Sequence, residues 1–195
     1  MHTAYWPGGT SDRAAADRAA SLEDSVGTGT YSVGVDDSPL VFESDYEFAP
    51  VIVWDALLDS DLVSGWLAEA SITPEVGGEY NLRWVHRPGR PATLGRITVL
   101  QPPERLRVDT SDSVHLAFEL RELPIGNRGS STRLRVTVAG PGDAAELARV
   151  KADWLTNLDQ LDDLLRGHPV DWPNWDHDRH DAWFRHLGEA ENSTA

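Results

Sequence analysis

Between Asp143 and Leu165 the chain carries one unbroken helical stripe, Leu147, Val150, Trp154, Leu155, Leu158, Leu161 and Leu165, stepping by threes and fours. Asp143, with Glu146 three residues on, forms a capping-box arrangement in which Asp stands for Ser or Thr. Gly167, His168 and Pro169 stop the helix, as a glycine just past a helix end with proline shortly after does. A helix with so long an apolar face must bury it. What precedes it is a succession of short period-two segments, so the natural cover is a sheet.

The first of those segments alternates Leu40, Phe42, Ser44, Tyr46 and Phe48 with Val41, Glu43, Asp45 and Glu47. Ala49-Pro50 then opens a short helix through Val51, Val53, Trp54, Leu57 and Leu58, with Pro50 suited to a first helical position. Asp59 or Ser60 can cap a second through Leu62, Val63, Trp66 and Leu67. After Gly77-Gly78 come five more strands. They are marked by Tyr80, Leu82 and Trp84; by Ile97 and Val99, both read as inward; by Leu106 and Val108; by Val114, Leu116, Phe118 and Leu120; and by Leu134, Val136 and Val138. Stretches 111–113 and 124–131 read as hairpin loops. The expected fold class is α+β, a helix grip. A curved antiparallel six-stranded sheet wraps around a long C-terminal helix, with two short helices between strands 1 and 2.

At 195 residues the chain suits one domain with extensions. Residues 1–37 are poor in large apolar side chains and are expected to form a disordered N-terminal arm. Residues 38–167 form the helix-grip domain, and 168–195 an aromatic and His-rich C-terminal extension. No run reaches the roughly 20 apolar residues that cross a bilayer, and Met1 to Thr10 lack a secretory pattern, so no membrane partner and a cytoplasmic location are expected. The absence of cysteine removes disulfides, thiolate nucleophiles and cysteine-ligated metals. A net charge of -15 argues against nucleic acid as a partner, because that affinity depends on neutralising phosphates.

Several short stretches together resemble the activator-of-heat-shock-ATPase homologues of the START-like (SRPBCC) superfamily, relatives of the polyketide cyclases. They are Ala49-Pro50 followed by Val53-Trp54-Asp55-Ala56-Leu57, Trp66, Val76-Gly77-Gly78-Glu79-Tyr80, Gly95-Arg96-Ile97, Pro102-Pro103-Glu104-Arg105-Leu106, Ser131-Thr132-Arg133-Leu134, and Trp154 with Leu158 and Leu161. The match covers roughly 40–165. It implies a cavity between sheet and helix that in relatives receives lipids, polyketides or other apolar molecules. It does not imply one reaction, since a fold hosts many functions. One departure stands out: the glycine usual before the last-helix tryptophan is Asp153 here.

Strand alternation and the helical stripe nominate an apolar, aromatic lining of Phe42, Tyr46, Trp66, Tyr80, Leu82, Trp84, Ile97, Val108, Leu116 and Phe118, faced by Lys151, Trp154, Leu155 and Leu158. The expected role is to bind and carry or sequester an apolar or aromatic small molecule, with no cofactor. A cyclase- or hydrolase-like enzyme using Tyr46, Tyr80 or His86 as acid or base is the alternative. A second alternative is a cochaperone-like module contacting a protein partner, or a second copy, through the extension. His115, Glu119, Arg83 and Arg96 fall on the outer face. In the extension, His177, His180 and Asp181 have a spacing compatible with a divalent metal but lack a fixed third histidine, so no metal site is assigned. Trp175, Trp183 and Phe184 are expected to pack a helix onto the domain.

Overall fold

The computed structural model describes residues 29–32, 39–86, 89–125, 129–140 and 143–192. Period-two segments become strands wherever they occur: β2 is Leu40–Tyr46, β4 Glu79–Arg83, β5 Thr93–Gln101, β6 Arg105–Thr110, β7 His115–Ile125 and β8 Gly129–Ala139. Helices α1, Pro50–Leu58, and α2, Ser60–Ser64, follow β2, and α3, Ala144–Leu165, follows β8. Asp59 caps α2, its carboxylate accepting from the amides of Asp61 and Leu62 at 2.9 and 3.0 Å. Asp143 caps α3 in the same way, accepting from Glu146 N at 2.8 Å.

The sheet has eight strands, not six. Short β1, Gly29–Ser32, lies in the stretch expected as a disordered arm and pairs antiparallel with β2; residues 1–28 and 33–37 of that arm lie outside the described residues. Short β3, Glu69–Ile72, pairs with β4. Both are edge strands, and the order across the antiparallel sheet is β1-β2-β8-β7-β6-β5-β4-β3. From β3 to β8 the chain is a meander, and β2 closes it by pairing with β8. Strands β7 and β8 run further into the hairpin than expected, to Ile125 and from Gly129.

A bulge between Ile97 and Val99 shifts the register of β5 against β6. The extra residue breaks the period of two, so Leu100, opposite Leu106, packs on the core in the place expected for Val99. Elsewhere the inner face runs as read: Phe42, Tyr46, Tyr80, Leu82, Ile97, Val108, Leu116 and Phe118 are all buried beneath α3 or α1.

Helix α3 ends at Gly167, whose φ of +89° lets His168 N reach back to Asp163 O at 2.8 Å. The chain then crosses α2, Val170 N donating to Gly65 O and the Trp172 indole to Ser64 O. A 3-10 turn, Trp172–Asn174, leads into α4, Trp175–Asn192, which lies along α3. Helix α3 is thus covered on two sides, by the sheet and by α4, and every residue from Lys151 to Leu158 is buried. No helix among the described residues is long and apolar enough to cross a membrane.

Candidate functional site

The nominated lining comes together as one interior. Trp154, in the middle of α3, lies between strands: its ring is 6.2 Å from that of Phe42 on β2 and 6.1 Å from that of Phe118 on β7. Leu155 and Leu158 extend the same face, and Trp66 closes it from beneath α1, its indole donating to Ala56 O at 2.8 Å. Trp84 differs. It follows the end of β4 at the rim, half-buried, its indole donating to Thr93 Oγ1 at 2.9 Å and the Arg90 guanidinium resting over its ring at 4.3 Å.

The two tyrosine hydroxyls of the interior are committed to the fold. The Tyr46 hydroxyl donates to Leu158 O at 3.2 Å and the Tyr80 hydroxyl to Leu57 O at 3.0 Å. Burial pushes both phenols well above the ordinary tyrosine range. Lys151 is 2% exposed on α3, and desolvation pushes its ammonium pKa down.

The sequence reading placed a helix bearing Trp175 and Trp183 against the domain but missed the polar seam that joins it to α3. Its core is a row of side-chain bonds. The Trp175 indole donates to Gln160 Oε1 at 2.7 Å, Arg179 pairs with Asp163 at 2.5 Å, the Trp183 indole donates to Asp153 Oδ1 at 2.7 Å, and His186 Nε2 meets Asp159 at 3.0 Å. Gln160, fully buried, also donates to Trp66 O at 2.6 Å, linking the seam to the interior. Asp153 faces Arg90 at 3.4 Å as well. The residue that departs from the family pattern is therefore the point where α4 and the β4–β5 connection meet α3.

Beside this point His86 stacks on Trp175, ring centroids 4.6 Å apart, and on Trp172 at 5.7 Å, with Trp84 edge-on at 6.3 Å. Trp175 is buried and Trp183 half-buried, as an amphipathic helix requires, but Phe184 is 51% exposed, against expectation. It lies one residue off the seam and touches only the His180 and Trp183 rings among the aromatic contacts of the described residues. His180 and Asp181 stand 3.7 Å apart, and among the described residues no three His, Asp or Glu side chains converge as metal ligands.

Two surface clefts accompany the interior. One of about 590 Å³ opens by the C-terminal end of α3 between Tyr46, Leu123, Pro124, Asp162 and Arg166. The other, about 530 Å³, opens on the outer sheet face and contains four arginines.

A model of the family described as Activator of Hsp90 ATPase homolog 1-like protein matches residues 47–166. None of the curated proteins matches. Among solved structures, the solution structure of CalU16 from Micromonospora echinospora is similar at 20% identity with a TM-score of 0.62, over 87% of this chain and 94% of that one. The protein encoded by BPP1335 of Bordetella parapertussis is similar at 21% identity, TM-score 0.56, over 89% and 93%. DynU16, a protein in the dynemicin biosynthetic locus, is similar at 21% identity, TM-score 0.57, over 68% of this chain and 49% of its own. At these identities the likeness shows the helix-grip fold. The family match ends at Arg166, so the whole of α4 lies beyond it.

Proposed function

The chain belongs to the Activator of Hsp90 ATPase homolog 1-like protein family, within the START-like superfamily, and on that premise we propose that it binds an apolar or aromatic small molecule between the sheet and α3, as a carrier or sequestering protein. The observation that carries this reading is the aromatic interior between the sheet and α3, where Trp154 packs with Phe42 and Phe118. The sheet and α3 are joined by apolar packing, whereas α4, on the other side of α3, is held by buried Trp175 and a row of polar side-chain bonds.

An apolar ligand gains about 25 cal/mol for each Å² removed from water, and Phe42, Phe118 and Trp154 supply surface to receive it. Lifting α4 bares the back of α3, at a cost that adds the burial of Trp175 to the bonds of the seam, and leaves the packing of α3 on the sheet in place. The hydroxyls of Tyr46 and Tyr80, bound to main-chain carbonyls, favour binding over acid–base catalysis.

Native mass spectrometry of the purified protein, followed by denaturing extraction, tests the proposal. A stoichiometric apolar species, or a mass shift with one member of a panel of aromatic and acyl compounds, is the expected result. A protein that arrives empty and takes up none of the panel would sink it. Exposed Phe184 favours a second reading, in which the extension meets a partner protein or a second copy. Truncation after Gly167 would then abolish association while leaving small-molecule binding intact.

A further inference from the structure

The outer face of the sheet is written in charge. Register places Glu43, Arg135, Glu119 and Arg105 in one row across β2, β8, β7 and β6, alternating in sign. Glu43 meets Arg135 at 3.3 Å, and Glu119 meets Arg105 at 4.0 Å. In the next row the alternation fails. Asp45 lies opposite Arg133, and Arg133 directly opposite Arg121. Like charges in directly opposed positions destabilise a sheet.

Asp45 answers only one of the two. Its oxygens accept from Arg133 Nε and Nη2, both at 2.7 Å, a bidentate pair that pulls the Asp45 pKa down. Arg121 has no ion pair among the described residues. Strand β6 begins at Arg105, opposite Glu119, so no β6 residue continues the row past Arg121. In its place the β5–β6 turn borders the 530 Å³ cleft, with Pro50, Pro103 and Leu120 as its apolar part.

From this we infer that the cleft is a second binding site, for a small carboxylic acid whose carboxylate pairs with Arg121 and whose apolar body rests on Pro50, Pro103 and Leu120. The carboxylate restores the alternation that the chain leaves incomplete. A planar guanidinium fork matches a carboxylate in two parallel bonds. Four glutamates line the cleft beside its four arginines: Glu43 and Glu119 pair with Arg135 and Arg105, and Glu104 and Glu122 disfavour dianions such as phosphate. A cleft of this size is in the range that holds small ligands. The site stands mainly on outward-facing charged residues, with Leu120 of the core at its floor, and does not depend on the interior being a cavity.

The test is a titration with benzoate, and separately with inorganic phosphate, followed through the arginine Nε–H resonances at low salt. Benzoate shifts the Arg121 and Arg133 signals saturably, and Arg121→Gln weakens its binding about tenfold or more. Asp45→Asn, which frees the second guanidinium, strengthens it. Binding unchanged in Arg121→Gln, shifts confined to interior residues, unaltered or weaker binding in Asp45→Asn, or phosphate bound as tightly as benzoate would each overturn the assignment.

Discussion

Asp153 accepts the indole N–H of Trp183 at 2.7 Å, and with that bond the buried middle of α3 is fastened to α4. The same carboxylate faces Arg90 at 3.4 Å, so one side chain ties together a helix of the matched segment, a helix beyond that segment, and the connection between β4 and β5.

Asp153→Ala therefore loosens the seam without emptying the core. The expected loss is about 2 kcal/mol, the range for hydrogen bonds to a charged group. Amide exchange should accelerate through α4 and leave β6, β7 and β8 unchanged. Equal acceleration everywhere would mean that α4 and the sheet unfold as one unit.

Lys151 gives stability a pH dependence of definite sign. Its folded pKa lies below its unfolded value, so the unfolded chain binds the proton more tightly. Stability contributed by this group rises as pH climbs from the folded pKa towards the unfolded value of about 10.4. Urea denaturation of the wild type should show that rise and Lys151→Met should flatten it; parallel pH profiles would contradict the assignment.

Gly95, between β4 and β6 in the sheet, has no room for a side chain. A Cβ there would lie 2.7 Å from Tyr80 O and 2.6 Å from Val108 Cγ1. Since the first contact is backbone, the strand itself must shift, and Gly95→Ala should cost about 1 to 3 kcal/mol. A urea midpoint indistinguishable from wild type would show that β4 and β5 part more easily than their ladder suggests.

Where pattern and packing coincide, the fold was legible. The α3 stripe and its Asp143 cap follow from spacing, and so do the inner faces of β2, β6, β7 and β8, strands that each bury one side. Strands β1 and β3 were not legible: each has four residues, too few for a period of two to stand out, and each pairs with a single neighbour. The bulge after Ile97 was equally hidden, since one added residue exchanges the roles of Val99 and Leu100.

The candidate lining was visible in alternation, but its surroundings were not. Asp153 looked like a local oddity because Trp183 is 30 residues away in sequence, and no periodicity connects them. The opposition of Arg121 and Arg133 exists only once β7 and β8 are in register.

The seam has a spectroscopic consequence. Of the eight tryptophans in the chain, Trp84, Trp172, Trp175 and Trp183 lie in or beside it, while Trp54, Trp66 and Trp154 belong to the interior. Intrinsic fluorescence thus reports on the seam as well as on the interior, whereas circular dichroism is dominated by the sheet and α3. A red shift in emission that precedes any change in ellipticity would be the optical signature of α4 lifting from a domain still folded beneath it.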